Sequence, residues 1–261
     1  MKIRTGTLRE LKEQGKKFAC LTSYDQQTAE IFDEAGIELI LVGDSASNTV
    51  LANETTIPVT LEEMIPFGKA VARSAKDALV IFDMPFGTYE ISADQALENS
   101  VMVMKQTGVA GVKIEGKRVE QIKKLVDNGI PVMGHVGFTP QTVHGLSGYK
   151  VQGRDSDANR VLEEALAIEQ AGAFAIVLEM VPADLAKRIS SALKIPTIGI
   201  GAGHETDGQI LVWTDFAGLG KKAPSFARKY LSMREDLLAA ARAYSDDVRA
   251  KNFPSADESF S

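Results

Sequence analysis

Eight short runs rich in β-branched and other apolar residues recur along the chain, each followed by a polar or glycine-bearing turn and then a helical pattern. Runs this short and this uniformly apolar are what parallel strands covered on both faces require. They fall at residues 18–21, 38–42, 79–82, 109–114, 130–133, 173–178, 197–200 and 210–213. Helical periodicity occupies 27–35, 61–75, 93–106, 119–128, 157–171 and 183–193, and an amphipathic segment at 224–250 predicts a C-terminal helix. Thr60 with Glu63 three residues on reads as a capping box, and Pro182 as a first-turn proline. Gly36, Gly108, Gly129 and Gly172 each follow a helical run, where a left-handed cap is needed.

A strand-then-helix series of this kind in 261 residues predicts an α/β fold, a single (β/α)8 TIM barrel over residues 1–261 with a short polar tail after the last helix. An open doubly wound sheet is the alternative, but it would carry a glycine-rich turn after its first strand. Thr22-Ser23-Tyr24-Asp25 stands there instead.

Net charge of −6 and a pI near 5.3 argue against nucleic acid, because phosphate binding needs a clustered basic face. The one cysteine, Cys20, lies within an apolar run and reads as a buried, inert thiol. No apolar run nears the roughly 18 residues that span a bilayer, and no signal core follows Met1-Lys2-Ile3-Arg4, so a cytoplasmic protein without a membrane partner is expected.

In a barrel, chemistry sits at the C-terminal ends of the strands. The second run ends in Gly43-Asp44-Ser45, the third in Asp83-Met84-Pro85-Phe86, the fourth in Lys113-Ile114-Glu115-Gly116, the fifth in Gly134-His135 and the sixth in Glu179. One such carboxylate alone commonly caps the next helix. Several converging on one axis would repel one another by several kcal/mol unless a cation or proton intervenes. With oxygen donors, no second cysteine and three histidines, the set favours a hard ion, Mg²⁺, over zinc. A 2-oxo acid could chelate such an ion. Lys113 could neutralise the substrate carboxylate, and Glu179 or His135 could take a carbon-bound proton. Lys113 could instead form an imine with the ketone or a plain ion pair with Glu115.

At these residues the sequence resembles the ketopantoate hydroxymethyltransferases over almost its whole length. The matching stretches include Leu21-Thr22-Ser23-Tyr24-Asp25, Leu41-Val42-Gly43-Asp44-Ser45, Asp83-Met84-Pro85-Phe86, Val112-Lys113-Ile114-Glu115-Gly116, Gly134-His135-Val136-Gly137 with Thr139-Pro140-Gln141, and Gly148-Tyr149-Lys150-Val151-Gln152-Gly153. The resemblance implies Mg²⁺-dependent transfer of a hydroxymethyl group from 5,10-methylenetetrahydrofolate to 3-methyl-2-oxobutanoate, giving 2-dehydropantoate. It implies Asp44 and Asp83 as metal-binding aspartates, Glu115 as a third metal-associated acid, Ser45 and Lys113 as substrate-binding residues, and Glu179 as proton acceptor. A homo-oligomer, a ring of dimers forming a decamer or octamer, is implied as well. The sequence departs from the family pattern at 46–52, at Pro66-Phe67-Gly68, at 142–147 and at His204, none of them in the metal set.

Two other enzymatic and non-enzymatic readings stay open: a folate-independent metal-dependent carbon–carbon lyase, and an inactive metabolite-binding barrel. Gly199-Ile200-Gly201-Ala202-Gly203 reads as a tight turn beside a ligand, with an anion cradle as the alternative. Trp213 reads as packing at the end of the eighth strand, and His144 and His204 as polar loop residues.

Overall fold

In a computed structural model, which describes residues 2–260, eight parallel strands close into a barrel in chain order. They are β1 Phe18–Thr22, β2 Leu39–Val42, β3 Leu79–Asp83, β4 Gly111–Lys113, β5 Val132–Gly137, β6 Ala175–Glu179, β7 Thr197–Ile200 and β8 Gly208–Leu211. The fold class expected from the sequence is the one observed. The ring closes where β8 pairs with β1, Phe18 opposite Gly208. That pairing corrects the eighth strand, expected at 210–213. A Cβ on Gly208 would stand 2.4 Å from the Phe18 ring, so glycine lets the strand start two residues early. Trp213 accordingly opens a short helix instead of ending a strand.

The helices around the ring are α1 Thr5–Glu13, α2 Gln26–Glu34, α3 Ala46–Thr49, α4 Leu61–Ser74, α5 Ala93–Thr107, α6 Val119–Asp127, α7 Ala158–Gln170 and α8 Ala183–Ala192. Thr60 and Glu63 form the capping box, each side chain bonding the other's backbone N–H, at 3.2 and 2.8 Å. Asp25 caps α2 and Ser92 caps α5, each side chain accepting from the backbone N–H three residues on. Pro182 stands at the N-cap of α8, one residue before its expected place. Gly36, Gly108, Gly129 and Gly172 all adopt positive φ.

Helix α1 was not expected, its Thr5-Gly6-Thr7 start being a poor helix former. It is held by its tertiary contacts. Leu8 is fully buried in a cluster with Phe18, Cys20, Leu39, Leu41, Leu79, Ile81, Met133, Ala175, Val177, Ile198 and Ile210. These residues recur at every second strand position, so they fill the barrel interior. Lys12 of α1 donates to Asp207 at 2.8 Å and to the Ser190 carbonyl at 2.9 Å. Leu8 and Lys12 thus tie α1 to the end of the barrel where the strands begin.

Residues up to Val212 form one compact unit and those from Trp213 onward a second. In the second, α9 Trp213–Phe216 precedes α10 Met233–Ala250. The helix expected at 224–250 therefore begins nine residues late. The N–H groups of Tyr230 and Met233 donate to Phe216 and Ala217 carbonyls, at 2.8 and 3.0 Å, and not to carbonyls one turn back. Phe216 stacks on Tyr230 with ring centroids 5.0 Å apart. Among the described residues no helix is long and apolar enough to cross a membrane.

Gly68 sets how closely α4 packs. A Cβ there would stand 2.8 Å from Thr107 and 2.9 Å from the Phe82 ring, so its absence lets α4 lie close on β3 and α5. Gly68→Val is expected to lower the free energy of urea unfolding by about 1–3 kcal/mol through overpacking, read as a shifted midpoint at constant m-value.

Candidate active site

Strand alternation builds the site. Leu79 and Ile81 of the barrel interior are followed on the same face by Asp83, Met133 by His135 and Gly137, and Ala175 and Val177 by Glu179. On β4 the small Gly111 is followed by Lys113 and, just past the strand, Glu115. The columns start apolar and finish ionisable. Barrel register then sets these ends side by side, with Asp83 opposite Lys113 and Gly137 opposite Glu179.

The expected residues form one chain of contacts. Lys113 Nζ lies 2.7 and 2.8 Å from the two oxygens of Asp83 and 3.5 Å from Glu115 Oε1. Glu115 Oε1 lies 3.3 Å from His135 Nδ1, and His135 Nε2 lies 3.4 Å from Glu179 Oε2. Neither imidazole contact is aligned as a hydrogen bond, so His135 is held by charge between two carboxylates. The Asp44 N–H donates to Asp83 at 3.4 Å. Asp44, Asp83, Lys113, Glu115 and His135 are each at most 4% exposed.

Burial makes charge expensive here, and the neighbours decide who keeps it. Burial, then repulsion from Asp83 and Glu115, holds the Asp44 carboxyl well above its ordinary range. Burial also raises Asp83, although Lys113 opposes it. For Glu115, Lys113 and His135 overcome burial and lower the pKa. Burial would strip Lys113 of its proton, but Asp83, Glu115 and Asp44 raise its pKa instead. Burial and Lys113 push His135 down, yet Glu115 and Glu179 outweigh them and lift it to about 9.

Ser45 stands beside this cluster at the start of α3, its hydroxyl 2.7 Å from the Tyr24 hydroxyl, which accepts from Thr22 at 3.0 Å. Two residues without an expected role complete the arrangement. Gln141 donates from Nε2 to Asp44 Oδ2 and to the Met84 carbonyl, both at 2.9 Å, and its N–H donates to Glu115 Oε2 at 3.1 Å. Tyr89 donates its hydroxyl to Gln141 Oε1 and accepts from the Glu115 N–H at 3.1 Å. Gln141 sits inside a matching motif, which was its only signal. Tyr89 lies in a loop with no periodicity to flag it.

Backbone geometry places Glu179. Gly137 has φ +95, and a Cβ on it would stand 2.2 Å from the Glu179 carbonyl oxygen, so β5 and β6 approach there only through glycine. Met180, directly after Glu179, is a non-glycine residue at φ 47.

The remaining sequence candidates lie elsewhere. Gly199 and Gly203 allow close contact with Thr206 and Ala183. His144 and His204 are exposed. Burial raises the Cys20 thiol, which sits in the barrel interior. Among the described residues no group of three or more His, Cys, Asp or Glu side chains is closed around a metal position. Lys113 lies against both Asp83 oxygens, and Gln141 against Asp44.

The fold places the chain in a class of solved α/β barrels. Phosphonopyruvate hydrolase, in a structure with oxalate and Mg²⁺, matches with a TM-score of 0.63 at 14% identity, covering 98% of this chain and 93% of that one. A 2,3-dimethylmalate lyase, described as a member of the PEP mutase/isocitrate lyase superfamily, matches at 0.62 and 16%, covering 100% and 93%. These likenesses concern the fold. The chain itself belongs to the ketopantoate hydroxymethyltransferase family, whose model matches residues 2–256. Proteins named 3-methyl-2-oxobutanoate hydroxymethyltransferase are 55% identical in Corynebacterium efficiens and 53% in Leifsonia xyli subsp. xyli, each aligned over 99% of this chain and over 97% and 95% of those proteins.

The raised His135 pKa fixes the sign of a pH effect. An unfolded imidazole titrates near 6.5, so the stabilisation from its proton is complete below that value and is lost as pH rises through about 9. Chelator-treated protein is expected to lose urea stability across this window, and His135→Gln to lose less over the same interval.

Proposed function

We propose that this chain adds a hydroxymethyl group to C3 of 3-methyl-2-oxobutanoate, forming 2-dehydropantoate, with 5,10-methylenetetrahydrofolate as donor and Mg²⁺ as the bound cation. The observation that carries the reading is the linked charge cluster, in which the four carboxyl groups of Asp44, Asp83, Glu115 and Glu179 face two cationic side chains, Lys113 and His135. Carboxylates in excess, buried and offering oxygen, fit a hard divalent ion. Asp44, Asp83 and Glu115 would hold it. When bound, the cation supplies Lewis-acid polarisation of the keto oxygen.

The chain's own groups do the rest. Lys113 neutralises the substrate carboxylate, and Ser45, oriented by Tyr24, supplies a hydroxyl to it. Glu179, which is less enclosed than Glu115, takes the C3 proton. His135, protonated up to about pH 9, is assigned to holding Glu179 and Glu115 in place and not to acting as base. The C3–H bond breaks and its electron pair forms the bond to the methylene carbon; both methylene C–N bonds break, water supplies the hydroxyl, and the C3 proton and the second water proton end on the two nitrogens of the departing tetrahydrofolate. An imine on Lys113 needs a neutral amine, and Asp83, Glu115 and Asp44 keep this one charged.

We also propose a cytoplasmic homo-oligomer, a ring of dimers giving an octamer or decamer. The exposed Leu237, Leu238, Tyr244 and Val248 of α10 support self-association.

Incubation with 3-methyl-2-oxobutanoate in D₂O, followed by NMR, tests the reaction. Loss of the C3 proton signal is expected with Mg²⁺ and not with chelator, and added methylenetetrahydrofolate should then yield 2-dehydropantoate. Glu179→Gln is expected to slow the exchange by about 10²–10⁴-fold. Exchange without product would replace the folate reaction by a folate-independent lyase, exchange indifferent to chelator would point to Lys113 chemistry, and no exchange would favour a binding barrel.

A further inference from the structure

Gln141 lies between two of the carboxylates assigned to the cation, yet it carries no charge and is only 3% exposed. Its amide orientation is dictated by its neighbours. The Met84 carbonyl can only accept, so the NH₂ group must face it, and the same NH₂ reaches Asp44 Oδ2. Oε1 then faces Tyr89. The Glu115 N–H already donates to the Tyr89 oxygen, so the phenolic proton points to Gln141. The Gln141 N–H in turn holds Glu115 Oε2.

Tyr89 is itself fixed. Its hydroxyl is committed on both sides, Arg118 lies 6.0 Å from its ring centroid, and its N–H donates to Glu90. Asn99 and Gln95 of α5 donate to the Thr88 and Gly87 carbonyls, at 2.7 and 2.9 Å, anchoring the loop that carries it. A relay of directed hydrogen bonds therefore runs from α5 through Tyr89 and Gln141 to Asp44 and Glu115. Among the described residues Asp44 Oδ1 takes no hydrogen bond, so the relay pins one oxygen of that carboxylate and leaves the other to a ligand.

We infer that Gln141 is a positioning residue, clamped by Tyr89, that orients the Asp44 and Glu115 carboxylates for binding the divalent cation. The inference rests on the metal reading above. Orienting partners of metal-binding groups are typically worth 10–100-fold in affinity, and this one acts on two carboxylates at once.

Mn²⁺ alone, with no substrate, is the probe: the free ion is counted by electron paramagnetic resonance during titration of the full chain. Gln141→Met, which keeps volume and removes the amide, is expected to weaken Mn²⁺ binding by about 10–100-fold. Tyr89→Phe should weaken it less, and the double variant no more than Gln141→Met, because Tyr89 acts through Gln141. Saturating Mn²⁺ should restore proton exchange in Gln141→Met, an outcome that general damage to the fold would not give. Unchanged Mn²⁺ affinity in a folded Gln141→Met overturns the inference and leaves the metal reading intact. Should that variant not fold, unchanged affinity in Tyr89→Phe overturns it instead. A wild-type chain that binds no Mn²⁺ overturns the metal reading and this inference together.

Discussion

The Lys113 ammonium, buried against Asp83 and within reach of Glu115, is the interaction on which the rest of the mouth depends. A buried charge is tolerated only when paired, and removing one partner of such a pair strands the other at a cost of about 3–5 kcal/mol. Lys113 opposes the protonation that burial favours at Asp83, and with His135 it outweighs burial at Glu115. Glu115 in turn keeps the His135 proton in place. Each group's charge state is a property of the set, so replacing one member shifts the others.

The barrel supplies what the set cannot, which is fixed distance. Carboxylates left to themselves would move apart. Here the last inward position of each strand is locked to its neighbours by the hydrogen-bonded register, and Gly137 removes the one side chain that would force β5 away from Glu179. The apolar layers beneath are continuous with Leu8, so the polar layer has water-excluding packing on its lower side.

Much of this was legible in the sequence because strands and metals impose simple patterns. A period of two with an apolar start and an ionisable finish identifies Asp83, Lys113, His135 and Glu179 without knowledge of contacts. Gln141 and Tyr89 were not legible in this way. Their importance comes from hydrogen bonds between residues 52 apart in the chain, and a loop position carries no period that announces its partner. Helix α1 was hidden for a related reason, since its stability lies in Leu8 and Lys12 reaching the far ends of strands and not in local propensity. The late start of α10 likewise reflects carbonyls of residues 216 and 217 capturing the N–H groups that a helix would have used.

A closed ring of strands has no edge, and that changes how the molecule can vary. A slip of one residue in an open sheet can be absorbed at its border, whereas here it would have to travel through all eight strands and return in step. The same slip would turn Asp83 or Lys113 from the lumen to the helix side. Placement of the charged layer is therefore all-or-none, protected against small drift in the way a whole-number count is. The segments at 46–52 and 142–147 join the strands outside that constraint, so changes there need not disturb the strand register.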